Sequence, residues 1–181
     1  MDALTAQVMA RARRLGAQVR VAFDPRVLVP EERIRELCYE NRCGNYGAHY
    51  MCPPHIGTVE ELKTRLATYR RGVLLQYSQP LDMRNDREGL RRTKTELQHI
   101  VLQLEDFVRG SGIDDAWGLM AGSCALCDVC TARLNQPCPY PEKARPSLES
   151  LAVDVLGLLD GFGLDSAFHP DSITWTGCVL F

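Results

Sequence analysis

The spacing of apolar residues predicts five helices along the chain. In each, leucine, isoleucine or valine side chains recur every three or four residues and therefore share one face. The helices are expected near residues 4–15, 31–38, 58–66, 86–109 and 147–160. The pattern also predicts the roles of individual residues in these helices. Ile34 and Leu37 should face inward, Ser147 should cap the last helix, and the charged residues of the longest helix should form a solvated face.

Apolar stretches between these helices predict strands. They are expected at residues 19–23, 72–78, 115–121, 166–169 and 173–180, each bounded by residues that favour turns. Because helices and strands alternate, the pattern favours an α/β layer architecture, with α+β as the alternative. We expect a single compact domain over residues 1–181, with helices packed on a small sheet.

Composition narrows the function classes. The chain has 181 residues, of which 45% are apolar, and a formal net charge of −2. Acidic residues balance the basic ones without a basic block, so we expect no nucleic-acid partner. No apolar run is long enough for a membrane span, and the first residues predict an amphipathic helix rather than a secretion signal. The length allows a homodimer without requiring one.

Eight cysteines change this picture, because four of them fall within one short segment. Residues 122–139 contain the pattern C-x2-C-x2-C-x7-C-P, formed by Cys124, Cys127, Cys130 and Cys138. Bacterial ferredoxins present the same close-set run and a later Cys-Pro to an iron–sulfur cluster. The alternative is a structural zinc site, although zinc ribbons usually separate two C-x2-C pairs by a dozen or more residues. Without a secretion signal, these thiols are expected to be reduced and metal-bound in the cytoplasm.

A second group of cysteines lies in residues 38–54. Cys38, Cys43 and Cys52 stand among glycine, proline and aromatic residues. Buried free cysteines can pack as small hydrophobic residues. Here, however, the thiols occupy a turn-rich loop rather than a periodic apolar face, which favours a second metal site.

These motifs resemble those of a known family. The patterns C-x4-C-G-x-Y-G-x4-C-P-P, A-G-x-C-x-L-C-x-x-C and P-C-x-x-P-x-x-A-R-P-S-x-E resemble a bacterial and archaeal family of predicted metal-binding proteins of unknown function. The likeness extends to Trp175 and Gly177 near the end of the chain. It implies seven metal ligands: Cys38, Cys43, Cys52, Cys124, Cys127, Cys130 and Cys138. Cys178 stands where that family is expected to have an aliphatic residue, so it is left out of the ligand set.

Three hypotheses for function follow from this ligand set. The first is a cytoplasmic protein with two [4Fe-4S] clusters that exchanges electrons with a redox partner protein. The second is an enzyme, in which the three-cysteine cluster has one iron without a thiolate and binds substrate there. The third is a zinc-stapled interaction module. Arg42, Arg133 and Arg145 lie next to the cysteine loops, where they could either stabilise a reduced cluster or pair with carboxylates.

Overall fold

The computed structural model describes residues 2–181, which form helices on both faces of a four-stranded sheet. The helices span Ala3–Arg14 (α1), Glu32–Tyr39 (α2), Val59–Leu66 (α3), Arg87–Arg109 (α4) and Val155–Gly161 (α5). The strands span Gln18–Phe23 (β1), Gly72–Pro80 (β2), Trp117–Leu119 (β3) and Ser172–Leu180 (β4). Short 3-10 helices cover Pro25–Val27 and Thr131–Leu134.

All neighbouring strands of the sheet are antiparallel, in the order β1-β2-β4-β3. The fold is therefore α+β, within the architecture that the alternation of helices and strands predicts. Side chains of β2 alternate between two cores, as the pleat requires. Val73 and Leu75 pack under α1 and α4, whereas Leu74 faces the second core with α3 and the chain around Leu148.

The last predicted helix begins later than expected. The Ser147 side chain accepts a hydrogen bond from the Ser150 backbone N–H (3.1 Å), but these residues form a turn. Ala152 then adopts a left-handed conformation with φ 64°, which interrupts any helix there. Asp154 caps α5 instead, so the prediction of Ser147 as the cap is wrong. The predicted strand at 166–169 is also wrong, because that segment has no regular structure.

In two helices, the side chains that are buried differ from those that the spacing of apolar residues predicts. Leu37 of α2 is 58% exposed, whereas Arg35 is only 3% exposed. Glu105 of α4 is completely buried, although charged residues of this helix were expected to face solvent. Arg35 lies in the same helix as Cys38, and Glu105 contacts Arg145, which follows the second group of cysteines. Within residues 2–181, no helix is both long and apolar enough to cross a bilayer.

Candidate metal centre

The first cysteine loop, residues 38–54, folds back on itself directly after α2. Cys38 lies in the last helical turn. Asn41, Gly44 and Gly47 then adopt left-handed conformations with φ of 51°, 70° and 66°. The Asn41 side chain also accepts a hydrogen bond from the Tyr46 backbone N–H (3.0 Å). These turns reverse the chain, and only glycine or asparagine adopts them at little cost.

The folded loop brings its three thiols together. Burial, together with smaller effects of the neighbouring Cys43 and Cys38 thiols, raises the pKa of the Cys52 thiol to about 12. Burial also raises the pKa of Cys38, an effect that the nearby Arg35 guanidinium opposes. Thiols in this setting stay protonated until a cation offsets the charge of the thiolate. Binding of a metal by these thiolates would therefore release their protons to solvent.

The second cysteine loop, residues 122–139, follows β3. Its four thiols line one small pocket: Cys124, Cys127, Cys130 and Cys138. The 3-10 helix at Thr131–Leu134 and a left-handed Asn135 (φ 52°) turn the chain between the third and fourth thiols. The Thr131 hydroxyl donates to the Pro137 carbonyl (3.0 Å) and closes this turn. The sequence-distant fourth cysteine thus reaches the same pocket as the first three.

The two loops contact each other. The His49 Nε2 of the first loop donates to the Cys124 carbonyl (3.2 Å). The Tyr50 hydroxyl donates to the Gln136 carbonyl (2.8 Å), and Arg133 donates back to Gly44 (2.7 Å). His49 and Tyr50 also line the pocket of the second loop. The seven candidate ligands therefore form two adjacent groups in one region of the protein.

Helix α4 supplies polar contacts to the second loop. The Gln98 side chain is 1% exposed. Its Nε2 donates to the Cys124 sulfur (3.6 Å), and its Oε1 accepts from the Ala125 backbone N–H (2.9 Å). Lys94, one turn earlier, donates to the Ser123 hydroxyl (3.3 Å). The amide of Gln98 thus orients the first ligand of the loop and can stabilise negative charge on its sulfur.

Two cations beside the thiols have no carboxylate partner in the described part of the chain. Arg35 donates only to the carbonyls of Gly57 (3.3 Å) and Ser150 (3.4 Å), and its Nε has no hydrogen-bond partner. No carboxylate oxygen lies within 4.0 Å of Arg35 or Lys94. Burial lowers the pKa of Lys94, and the neighbouring Cys124 opposes that shift. Such charges are costly to bury unless an anion accompanies them.

The three arginines suggested by the sequence have other contacts. Arg42 pairs with Glu40 at the surface (2.8 Å). The Arg145 guanidinium donates through Nε to the buried Glu105 (2.6 Å), which also accepts from the Gly118 backbone N–H (2.7 Å). Arg145 therefore anchors the chain after the second loop to α4, rather than facing the thiols unpaired. The sequence pattern did not indicate Arg35 or Lys94; the only signal is that Arg35 lies one helical turn before Cys38.

Cys178 lies apart from the two loops. It is fully buried in β4, where it pairs with Leu74 of β2 and Leu119 of β3. Burial raises the pKa of its thiol well above the ordinary range. Cys178 thus packs as a small hydrophobic residue in the second core.

The chemistry of the donors bears on the group they would hold. Within residues 2–181, no group of three or more Cys, His, Asp or Glu side chains is arranged to hold a metal ion. The candidate donors are all thiols, and thiolates are ligands of both structural zinc and iron–sulfur clusters. The donor set therefore fits a metal centre of either kind.

Comparison with known proteins agrees with a metal site. A family model described as predicted metal-binding protein (DUF2284) matches residues 21–181. This range contains both cysteine loops and all elements except α1 and the start of β1. No curated protein and no solved structure matched the chain.

Proposed function

The chain belongs to this family of predicted metal-binding proteins, and from that premise we propose that it is a cytoplasmic iron–sulfur protein that transfers electrons to or from a partner enzyme. The four-cysteine loop would hold one [4Fe-4S] cluster and the three-cysteine loop a second. The observation that carries this proposal is the contact between two thiol-rich loops, flanked by the buried Arg35 and the half-buried Lys94, neither of which has a carboxylate partner among the described residues.

Charge balance supports clusters over neutral packing. A four-iron cluster with thiolate ligands is an anion, and it would supply the counter-charge that Arg35 and Lys94 lack. The hydrogen bond from Gln98 to the Cys124 sulfur is of the kind that tunes cluster potential. A buried core of neutral thiols would leave both cations uncompensated, which is a costly arrangement.

Ligand number supports electron transfer at the second loop. Four thiolates close every iron of a cluster, so such a cluster gains and loses single electrons without binding a substrate. The hydrogen bonds between the loops keep the two thiol groups adjacent, which would favour electron transfer between two clusters. All eight cysteines are free, which is consistent with the reducing conditions of the cytoplasm.

Exposed apolar side chains around the loops would suit a docking partner. Tyr39 lies beside the first loop, and Val129 and Leu134 lie in the second, all of them more than half exposed. Aromatic residues such as Tyr39 are enriched at protein interfaces, and clustered exposed apolar side chains can mark a docking surface. We therefore place the contact with a redox partner on the face that carries the cysteine loops.

An oxygen-free reductive titration followed by electron paramagnetic resonance tests the proposal. We expect two one-electron transitions. Cys127→Ala should remove one of them and Cys52→Ala the other, whereas the control Cys178→Ala should keep both. A colourless protein with zinc and no reducible centre would refute electron transfer and favour the zinc-stapled module.

A further inference from the structure

A groove of about 610 Å³ opens beside the first cysteine loop, and Cys38 and Cys43 lie in its wall. Most of its lining is apolar, including Ile34, Leu156 and Ile173. This volume suits a small organic molecule, since ligand pockets typically measure about 300–1,000 Å³. Leu37, whose exposure contradicts the helical pattern, also lines this groove.

One carboxylate in the groove has no cationic partner. Glu149 lies in the wall of the groove and is exposed to solvent there. Among the ion pairs formed within residues 2–181, none includes Glu149.

The other charged groups that line the groove each contact a basic or acidic partner. Asp154 shares Arg33 with Glu31 (2.8 Å each). Asp165 contacts His169 (2.8 Å), and Glu40 pairs with Arg42 (2.8 Å). Glu149 is thus the groove carboxylate that has no basic partner among the described residues, and the complementary group is a cation.

An aromatic ring lines the same groove as this carboxylate. The indole N–H of Trp175 donates to the Thr93 hydroxyl (2.9 Å), which fixes the ring. Trp175 lies near Gly122, and the backbone of Gly122 lies near Glu149. A carboxylate and an indole ring in one apolar groove can bind an organic ammonium ion through charge and cation–π attraction.

We propose that this groove binds a small organic cation, with its ammonium group between Glu149 and the ring of Trp175 and its apolar part along the groove. The ligand would lie beside the first cysteine loop, since Cys38 and Cys43 share the groove. The binding site itself depends only on Glu149, Trp175 and the apolar walls.

Binding of simple probes to the full-length protein, prepared without oxygen, tests the groove. Benzyltrimethylammonium and benzylamine are the cationic probes, and benzyl alcohol and benzoate are their neutral and anionic counterparts. Affinities would be measured by calorimetry and by ligand-observed nuclear magnetic resonance. We expect both cations to bind at least tenfold more tightly than benzyl alcohol, and benzoate to bind most weakly.

Variants identify the residues responsible. Glu149→Gln, which keeps the shape of the side chain, should weaken cation binding about tenfold or more. Asp165→Asn, a groove residue already paired with His169, should change it less than twofold. Trp175→Phe should retain most of the affinity because the phenyl ring keeps an aromatic face, whereas Trp175→Leu should lose it. Circular dichroism and iron content establish whether each variant is folded and loaded.

Several results would overturn the proposal. These are equal binding of benzyl alcohol and the cations, unchanged cation binding in Glu149→Gln, or no binding of any probe. The outcome is separable from that of the proposed function. Glu149-dependent cation binding in a protein without iron would support the groove as a cation site and refute the clusters. A cluster-loaded protein that does not bind the cations would support the clusters and refute the cation site.

Discussion

Replacing Arg35 by methionine should stabilise the metal-free protein and shift a cluster potential at the same time. Arg35 is 3% exposed, makes only two long hydrogen bonds, and has no carboxylate within 4.0 Å in the described chain. Methionine has a similar length and no charge to desolvate. Replacing buried ions by apolar residues of similar volume often stabilises proteins by about 1–4 kcal/mol, so we expect about 1–3 kcal/mol for metal-free Arg35→Met.

In the cluster-loaded protein the same substitution should be unfavourable, because it removes a positive charge that stabilises the reduced cluster. Residues three apart on a helix have their Cβ atoms about 5–6 Å apart, which places the guanidinium of Arg35 roughly 8 Å from a group held by Cys38. At an effective dielectric constant of about 20, one charge at that distance contributes about 2 kcal/mol. For a one-electron couple this equals about 90 mV. Removing the positive charge disfavours an added electron, so the potential of the first cluster should fall by roughly that amount.

Arg42→Met is the matched control. Arg42 lies in the same loop, but its side chain is 87% exposed and already pairs with Glu40. Solvent and salt screen such charges, so the potential should shift by less than about 20 mV. Urea unfolding of the metal-free proteins and spectroelectrochemistry of the loaded ones measure the two effects. Destabilised metal-free Arg35→Met with an unchanged cluster potential would refute the argument that Arg35 is the counter-charge of a cluster.

Three further predictions concern contacts of the second loop and of the segment that follows it. Glu105→Gln should lower the free energy of unfolding by about 3–5 kcal/mol, because it breaks the buried charge pair with Arg145. Chemical denaturation measures this change, with the exposed Glu96→Gln as control, and equal stabilities of the two variants would contradict the prediction. Gln98→Leu should lower the potential of the four-cysteine cluster and cost about 1–3 kcal/mol, since it removes the bond to the Cys124 sulfur and leaves a backbone N–H without a partner. A potential equal to that of the parent protein would argue against this role. Arg133→Met should speed hydrogen exchange in both cysteine loops by several-fold, because one bond between them is lost; exchange confined to the second loop would show that the contact is unimportant.

Much of the fold follows from local sequence signals. The capping box at Thr58 and the long apolar stripe before Gly110 predicted α3 and α4, because each signal satisfies helix ends or buries one face within a few residues. The helix expected at Ser147 failed for a local reason. A serine followed by apolar residues at helical spacing resembles a capped helix, but Ser147 and Ser150 bond each other in a turn.

The composition of the site was only partly visible in the sequence. Cysteine spacing predicted that seven thiols lie in two loops, since closely spaced cysteines among turn residues can be recognised without tertiary information. The contact between the two loops depends on long-range bonds, such as that from Tyr50 to Gln136, which no spacing encodes. The same is true of Arg35 and Glu149. Their importance comes from the absence of an opposite charge nearby, and that is a property of the folded chain alone.

Iron and acid-labile sulfide measured per chain, on protein purified without oxygen, test the central claim most directly. The account predicts about eight iron atoms and about eight sulfides in the parent protein, as two four-iron clusters require. Cys130→Ala and Cys43→Ala should each lose about half of both. One or two zinc atoms per chain without labile sulfide would contradict the claim that the two loops hold iron–sulfur clusters.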